Sequence, residues 1–357
     1  MKVTVIAGGE LTPELVDRWR RIQESTTELA SPYFCPDFTQ AVAAVRRDVF
    51  VGVMENSGVA VGFFPFQRGR MGVGKPVGGA VSDFHGVIAL PEVSWDVPRL
   101  LRACGLATFE FTHLLECQQP FRPYHAAAAE SHYMDLSEGF DGYAARLREV
   151  GSHLLKDVRA KRRKLQQLGE LRVVPHTGDT GVLRALLAWK SSQYQRSGLV
   201  NVFSFDWAVA LLERIHATQH EHFAGMLSAL YVNDELVAAH MGMRSRRVWN
   251  WWFPRHDERF AKMSPGILLR VCAAESAEGL GIRRIDLGLG NESTYKPRLA
   301  TGSIPLAEGR VELRSLATAA RRLRRDAEAW VRRSPLLTIA RVPGRLLTRM
   351  ERRRRFR

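Results

Sequence analysis

Pairs of apolar runs rich in β-forming residues predict two β-hairpins, one in each half of the chain. Their strands are residues 49–54 with 59–66, and residues 227–232 with 236–243. The segments between them, Glu55-Asn56-Ser57-Gly58 and Asn233-Asp234-Glu235, contain the Asn, Asp and Gly residues that adopt the positive φ angles of tight turns. Two similar hairpins in different halves of one chain indicate a duplicated α/β unit.

Apolar residues spaced three or four apart predict helices around these strands. One helix covers residues 14–22, a second follows Pro175, and a third begins at Asp206. Residues 69–86 are rich in glycine and are predicted to form a loop.

A long basic helix is predicted over residues 143–169. Its basic residues are Lys156, Arg159, Lys161, Arg162, Arg163 and Lys164. One interpretation is a solvated helix face near a domain junction, and the other is a patch for the phosphate groups of a nucleotide or an RNA. Few aromatic residues are interleaved with the basic ones, which favours the solvated face.

Residues 248–299 contain the densest set of candidate chemical groups, in the order strand, loop, helix, strand, loop. The helix begins at Ser264-Pro265-Gly266, with Ser264 as the N-cap and Pro265 at the first helical position. The amides at such a start are free and the helix dipole is positive there, which suits a pyrophosphate such as that of coenzyme A. Lys262 would add a cationic contact. Plain capping of the helix is the alternative interpretation.

The strand after this helix, residues 283–287, carries Asp286 near its end, and a glycine-containing loop then leads to Tyr295-Lys296. In α/β proteins, groups at strand ends and on the following loops converge on the ligand-binding cleft. Asp286, Tyr295 and Lys296 are therefore candidate catalytic residues. A carboxylate satisfied by loop amides is the alternative for Asp286.

Four further polar or aromatic positions are candidates for binding or for the core. His240 lies in an apolar strand, which is typical of a packed, hydrogen-bonded histidine rather than a base. Trp252 lies beside Asn250 in an aromatic strand and is a candidate to stack on a sugar or an acyl group. Asp83 and His85 lie in the glycine-rich loop and are candidates for binding the acceptor substrate, although an Asx-turn is a simpler explanation for Asp83.

The positive charge of the chain is concentrated at its carboxyl end. The formal net charge is +15, yet residues 310–357 contain sixteen arginines and only four acidic residues. A solubilising helix with a disordered end is one interpretation of this tail. Arg-rich amphipathic segments also bind anionic membrane surfaces, and nucleic acid is a competing ligand for the same arginines.

The four cysteines are scattered without metal-ligand spacing, so we expect neither a zinc site nor a disulfide framework. No apolar run approaches the ~18 residues of a membrane span, and no signal peptide is recognisable at Met1. These patterns predict a cytoplasmic protein, or one bound peripherally at the inner membrane surface.

In their order along the chain, these motifs resemble the BioF2-like or CelD-type acetyltransferases, which are GNAT-fold relatives of the FemAB aminoacyltransferases and are often linked to bacterial polysaccharide synthesis. The matching segments are residues 62–66, 82–86, 165–169, 205–207, 236–239, 264–269, 286–292 and Tyr295-Lys296. The likeness covers residues 3–310. The usual GNAT phosphate loop, R-x-x-G-x-[GA], is absent, so residues 262–266 would take its place.

The resemblance implies a mixed α/β fold of two GNAT-like units in pseudo-repeat, with mixed sheets flanked by helices. The expected divisions are residues 1–142, a basic linking helix at 143–175, residues 176–310 with the reactive cleft, and the tail at 311–357. The implied reaction transfers an acyl group, expected to be acetyl, from acyl-CoA to an amine or hydroxyl of a sugar or cell-envelope precursor.

The resemblance also implies roles for the candidate residues. Asp286 would act as base or orienting acid, Tyr295 would protonate the departing thiolate, and Lys296 would stabilise charge or bind an anionic substrate. Glu292 joins Asp83, His85 and Trp252 as a substrate-binding candidate. Aminoacyl transfer from aminoacyl-tRNA, served by the basic helix, and a non-catalytic role in polysaccharide assembly remain the alternatives.

Overall fold

The structure, a computed structural model, describes residues 1–289 and 295–313. Its helices are α1 (Pro13–Ser25), α2 (Pro36–Val45), α3 (Val97–Ala103), α4 (Gly139–Glu149), α5 (Leu154–Gln166), α6 (Thr180–Arg196), α7 (Asp206–Ala217), α8 (Pro265–Ser276) and α9 (Lys296–Leu299). Its strands are β1 (Lys2–Ala7), β2 (Val49–Asn56), β3 (Val59–Arg68), β4 (Val73–Lys75), β5 (Ile88–Ala89), β6 (Thr108–Leu115), β7 (His125–Asp135), β8 (Leu171–Val174), β9 (Ala224–Val232), β10 (Glu235–Arg244), β11 (Val248–His256), β12 (Arg284–Leu289) and β13 (Gly302–Glu312). The predicted mixed α/β class, with mixed sheets flanked by helices, is confirmed.

The described residues divide into two compact units, each with its own apolar core. The first unit comprises residues 1–22, 42–128 and 307–313, and the second comprises residues 23–41 and 129–306. These boundaries differ from the expected division at residue 142. Residues 23–41 belong to the second unit because side chains within them bond to it. Tyr33, for example, donates a hydrogen bond to Asn250 (3.3 Å).

In the first unit the strand order is β1-β2-β3-β4-β6, with β5 added to β3. All pairs are antiparallel except β4 with β6. The predicted hairpin is confirmed as β2–β3, and its turn places Ser57 and Gly58 at φ 48° and 81°. Residues 69–86 are not purely loop, because they include the short strand β4.

In the second unit the strand order is β7-β12-β11-β10-β9-β8. All pairs are antiparallel except β11 with β12, which α8 connects as a crossover. The second predicted hairpin is confirmed as β9–β10, with Asn233 in its turn at φ 54°. The predicted order of strand, loop, helix and strand after residue 248 is also confirmed, as β11, a 3₁₀ segment, α8 and β12.

The single helix predicted over residues 143–169 is wrong, because the segment forms two helices, α4 and α5. The break follows Val150, where Gly151 takes φ 69°, a left-handed conformation that ends a helix. In α5 three apolar residues, Leu154, Val158 and Leu165, are buried, and most of the basic residues are exposed. The basic face is therefore mainly solvated.

The strands β11 and β12 separate after a short paired stretch. Their register covers only three residue pairs and ends at Asn250 opposite Asp286, although β11 continues to His256 and β12 to Leu289. Beyond that point β11 remains paired with β10, and β12 with β7. The separation leaves space between the carboxyl halves of two neighbouring parallel strands.

Gly242 lies at a bulge in β10 opposite β11, and we expect replacement by alanine to destabilise the fold. A Cβ there would lie 2.1 Å from the Asn250 carbonyl oxygen and 2.7 Å from His240 Nε2. The added methyl group would have to displace a backbone carbonyl that is fixed in the sheet. Gly242→Ala should therefore lower the free energy of unfolding by about 3 kcal/mol in urea titrations. Gly279→Ala is the control, since no described atom lies within 4 Å of its Cβ position. Equal denaturation midpoints for the two variants would contradict this packing argument.

Among the described residues, no helix is both long and apolar enough to cross a membrane.

Candidate functional site

A cavity of about 390 Å³ lies where β11 and β12 separate. Its lining residues are Lys190, Gln193, Trp251, Trp252, Pro254, Arg255, His256, Ala261, Ser264, Gly266, Ile267, Arg270, Leu287, Tyr295 and Lys296. Five residues singled out in the sequence are thus brought together, namely Trp252, Ser264, Gly266, Tyr295 and Lys296. The cavity forms from the second unit alone.

The cavity is strongly cationic. Lys190, Arg255, Arg270 and Lys296 line it, and no carboxylate is among its described lining residues. Of the four, Arg255 is paired with Glu258 outside the cavity. Such an excess of positive charge fits an anionic ligand, because the attraction between unlike charges increases in a partly buried site.

The amino terminus of α8 forms one wall of the cavity, as the capping pattern predicts. Ser264 is the N-cap residue and Pro265, which has no amide hydrogen, is the first helical residue. The amides of Ile267 (3.0 Å) and Leu268 (3.3 Å) donate to the Ser264 carbonyl, so Gly266 alone in this first turn has an amide without a backbone partner among the described residues. The side chain of Ser264 does not cap the helix. Instead its Oγ accepts a hydrogen bond from Lys161 Nζ of α5 (2.8 Å). Lys262 is exposed and is not among the residues lining the cavity.

Arg270 of α8 holds Tyr295 in place. The Arg270 side chain is 2% exposed and its Nη2 donates a hydrogen bond to Tyr295 Oη (2.8 Å). Its Nε and Nη1 are buried without a hydrogen-bond partner among the described residues. A guanidinium with two unsatisfied donors beside a cavity provides hydrogen-bonding capacity for an anion.

The charge of Arg270 also changes the acidity of Tyr295. Burial alone would raise the pKa of Tyr295, yet that pKa is lowered, because the nearby charge of Arg270, its hydrogen bond and the charge of Lys296 together outweigh burial. Tyr295 is 37% exposed, so its phenol remains accessible from the cavity. A phenol of lowered pKa that reaches the cavity is a suitable proton donor.

Lys190 of α6 is a candidate that the sequence interpretation missed. Its side chain is only 9% exposed, and its Nζ donates a hydrogen bond to Gln193 (3.0 Å). Burial, followed by the charges of Arg255 and Lys296, lowers the pKa of Lys190 to about 8. The available signal was its position on the apolar face of α6, four residues after Leu186. A lysine that is partly neutral near pH 8 can accept a proton.

Asp286 is buried beside the cavity but does not line it. Its carboxylate pairs with Arg284 Nε of the same strand (2.8 Å), two residues earlier and therefore on the same face. The site also holds Lys296, whose Nζ donates a hydrogen bond to the Leu289 carbonyl. The base role for Asp286 stays a prediction, and the ion pair favours an orienting role over proton transfer.

Aromatic residues support the inner wall of the cavity. His240 is fully buried and stacks on Trp251 with 3.5 Å between ring centroids, which confirms its predicted core position. The predicted hydrogen bond is wrong, because neither ring nitrogen has a partner among the described residues. Burial and the charge of Arg270 lower the pKa of His240 well below its ordinary value, so the ring is neutral. Trp252 is half-buried and meets Tyr33 edge to face at 6.0 Å.

Three substrate-binding candidates do not belong to this cavity or cannot be placed. Asp83 and His85 belong to the first unit, where His85 is buried and its backbone bonds to His113 and Leu115. Burial, with His113 nearby, lowers the pKa of His85 well below its ordinary value. Glu292 lies outside the described residues, as does most of the Arg-rich tail.

Comparison with known proteins adds to this geometry. Residues 152–297 match the family described as an acetyltransferase (GNAT) domain. No curated protein sequence matches the chain. FemX has a similar structure, with 9% identity and a TM-score of 0.55, covering 90% of this chain and 99% of that one.

Two further solved structures show the same likeness. The C-terminal domain of a putative lysylphosphatidylglycerol synthetase from Agrobacterium fabrum is 15% identical, with a TM-score of 0.51, covering 86% of this chain and 93% of that one. A conserved protein of unknown function from Bacteroides thetaiotaomicron is 12% identical, with a TM-score of 0.51, covering 84% of this chain and 97% of that one. At such identities the likeness shows the fold. The sequence match spans every residue that lines the cavity, so the candidate site lies wholly within the segment that is similar to a GNAT domain.

Proposed function

We propose that this protein transfers an acyl group, expected to be acetyl, from acyl-CoA to an amine or hydroxyl of a sugar or cell-envelope precursor. The observation that carries the proposal is the cationic cavity between the separating strands β11 and β12, with a helix amino terminus on one wall and Lys190, Tyr295 and Lys296 inside it. GNAT domains use acyl-CoA as cosubstrate, and a site without carboxylates among its described lining residues suits that anion.

The residues at the start of α8 would bind the phosphate groups of the donor. The amide of Gly266 and the positive end of the helix dipole would face the donor there, and Lys161, bonded to Ser264, adds a cation. Gly266 leaves room for close approach, since a Cβ at this position would meet only His256 Nδ1, at 3.6 Å. Lys262 would act from the exposed side of the same segment.

Lys190 would remove the proton from the acceptor. In its neutral form the amine accepts a proton from the nucleophile as the nucleophile bonds to the thioester carbon. Its pKa of about 8 makes this form available near neutral pH. Asp286, held by Arg284, would orient neighbouring groups instead of acting as the base.

Tyr295 would give its proton to the thiolate when the carbon–sulfur bond breaks, and its lowered pKa favours that transfer. Lys296 would place positive charge next to the oxyanion that forms during attack. Arg270 would hold Tyr295 in position through the hydrogen bond to its phenol.

The acceptor class rests on the resemblance to BioF2-like and CelD-type enzymes. Trp252 offers an aromatic face on the cavity wall that suits a sugar ring. Glu292 is a further proposed contact for the acceptor, whereas Asp83 and His85 belong to the first unit and are not assigned to this cavity. Association of the Arg-rich tail with an anionic membrane surface would bring the enzyme to lipid-linked precursors.

Aminoacyl transfer from aminoacyl-tRNA is the second candidate. The observation in its favour is the exposed basic face of α5, whose Lys161 contacts Ser264 at the cavity wall. A polyanionic donor lying along α5 would then reach the same cavity.

Binding of acetyl-CoA, longer acyl-CoAs and uncharged tRNA, measured by calorimetry and thermal unfolding, tests the proposal. Gly266→Asp should weaken acyl-CoA binding at least tenfold, because its carboxylate would face the donor phosphates. An Asp in the first helical turn favours the helix itself, so the loss would not reflect unfolding. Gly279→Asp, at an open position in the same unit, should change the affinity less than twofold.

An acyl-CoA should raise the unfolding temperature of the wild-type protein in a saturable manner. At 100 times its Kd the ligand should increase the free energy of unfolding by about 2.7 kcal/mol. Binding of tRNA without any thioester would favour aminoacyl transfer. If none of these ligands binds, the result would favour a non-catalytic role and contradict the proposal.

A further inference from the structure

A second cavity, also of about 390 Å³, lies at the other end of β11 from the candidate acyltransferase site. Its lining residues are Glu221, Arg244, Arg246, Arg247, Leu280, Gly281 and Arg283. We call it the arginine cavity. It forms where the turn before β11 meets the turn before β12, within the second unit.

Backbone hydrogen bonds fix the arginines of these two turns side by side. The Arg247 carbonyl accepts hydrogen bonds from the amides of Arg283 (2.8 Å) and Arg284 (3.2 Å). Gly281, at φ 70°, turns the chain from the end of the α8 segment into this contact. Arg247 and Arg283 therefore reach the cavity from two turns whose relative position is set by the sheet.

The positive charge in the arginine cavity is largely uncompensated. Arg246 pairs with Glu221 (2.5 Å) and Glu24 (3.4 Å), so these carboxylates offset its charge. Arg244, Arg247 and Arg283 have no ion pair with a carboxylate among the described residues.

Arg244 is half-buried in this cavity, and its hydrogen-bond acceptors among the described residues are all neutral. Its Nη1 donates hydrogen bonds to the carbonyls of Glu221 (3.0 Å) and Ser245 (3.3 Å). Burial lowers the pKa of Arg244, and the Glu221 carboxylate only partly opposes that shift. A guanidinium in this setting has lost part of its hydration, and the Glu221 carboxylate, which pairs with Arg246, compensates only part of that loss. A bound anion would supply a direct counter-ion.

We propose that the arginine cavity binds a phosphate group, carried either by a small phosphorylated molecule or by a lipid headgroup. Three guanidinium groups that form no ion pair with a described carboxylate surround a space large enough for a diphosphate, with Glu221 as the one carboxylate among its described lining residues. Planar guanidinium groups form paired hydrogen bonds with phosphate oxygens, which makes arginine the preferred residue for phosphate recognition. The site is separate from the acyltransferase cavity and does not depend on the reaction proposed there.

Pyrophosphate titration of the full-length protein by calorimetry tests this proposal. The double variant R247Q/R283Q should bind pyrophosphate at least tenfold more weakly than the wild-type protein, since both exposed arginines lose their charge. The matched control R148Q/R184Q removes two exposed arginines of α4 and α6 and should change the affinity less than twofold. All four substituted residues are exposed, and thermal unfolding would verify that the variants remain folded.

Vesicles distinguish the two sources of the phosphate group. Leu280, at the rim of the cavity, is 37% exposed and would enter the headgroup region of a bilayer. If a lipid headgroup is the ligand, co-sedimentation with phosphatidylglycerol vesicles should exceed that with phosphatidylcholine vesicles, and both Leu280→Ser and R247Q/R283Q should reduce it. If a small molecule is the ligand, pyrophosphate should bind and phosphatidylglycerol should not.

Two results would overturn the proposal. One is a wild-type protein that binds neither pyrophosphate nor phosphatidylglycerol vesicles. The other is equal binding by R247Q/R283Q and R148Q/R184Q, which would assign the affinity to the overall positive charge of the chain. Both results are independent of acyl-CoA binding at the first cavity, so failure here leaves the proposed acyltransferase function untouched.

Discussion

Lys190→Met is expected to lower kcat/KM for acyl transfer by about 10²- to 10⁴-fold, the usual contribution of a general base. Methionine keeps the length and apolar stem of the side chain but cannot accept a proton. The reaction would be followed with the acyl-CoA that binds most tightly and the fastest acceptor among amino sugars and hydroxylated envelope precursors. Lys164→Met, at an exposed position of α5, is the matched control and should retain full activity.

The pH dependence of kcat/KM provides a second test of this role for Lys190. Lys190 acts as a base only when neutral, so wild-type kcat/KM should rise with pH through the pKa of about 8. In Lys190→Met that rising limb should disappear. A variant that keeps both its activity and its rising limb would remove Lys190 from the mechanism and return the base role to Asp286.

The same substitution should stabilise the protein at pH 7. The unfolded chain binds more protons than the folded one between pH about 8 and about 10.5, so wild-type stability rises with pH across that window. Below pH about 8, burial of the charged lysine lowers the free energy of unfolding by about 3 kcal/mol. Lys190→Met removes this cost but also removes the hydrogen bond to Gln193, which is worth about 1 kcal/mol. Lys190→Met should thus raise the free energy of unfolding by about 2 kcal/mol at pH 7, an exchange of stability for activity.

Tyr295→Phe is expected to lower kcat about 10²-fold while leaving acyl-CoA affinity nearly unchanged. The substitution removes only the phenolic oxygen, which accepts a hydrogen bond from Arg270 and would protonate the thiolate. Tyr295 can protonate the thiolate only while its phenol carries a proton, so wild-type activity should fall at high pH as Tyr295 ionises. The lowered pKa of Tyr295 brings that fall below pH 10. Tyr295→Phe should lack this alkaline limb.

The control for this prediction is Tyr231→Phe, which removes a phenol from β9 outside the cavity. Stopped-flow measurement of thiol release separates the chemical step from donor binding. An unchanged rate of thiol release in Tyr295→Phe would show that the thiolate leaves without a proton from this residue. An equal loss in both variants would point to packing instead of proton transfer.

The sequence by itself predicted the structural elements that depend on only a few neighbouring residues. Both hairpins follow from β-forming runs and turn residues, because Ser57-Gly58 and Asn233-Asp234 adopt the required turn without help from distant groups. The start of α8 follows from Ser264-Pro265 for the same reason. The weak break at Gly151 escaped prediction because flanking residues retain helical spacing.

The site was predicted in part. Trp252, Ser264, Gly266, Tyr295 and Lys296 line one cavity, and four of them belong to motifs within residues 264–296. The sequence motif thus indicated which segments meet. It did not indicate Arg270, since a single arginine within a helix carries no sign of whether it faces water or a tyrosine.

The chemistry of the site depends on burial, which only the tertiary structure decided. As an isolated residue, Lys190 would have an ordinary pKa. Packing of α6 against β10 and β11 removes Lys190 from water beside Arg255, which lowers its pKa, while β12 places Arg284 against Asp286. The sequence by itself determined the turns, the helix start and the order of the motifs, because these depend on near neighbours. The desolvation of Lys190 and Asp286 depends on residues far apart in the chain, so only the fold decided it, whereas the pairing of Asp286 with Arg284 joins near neighbours on one face of a strand.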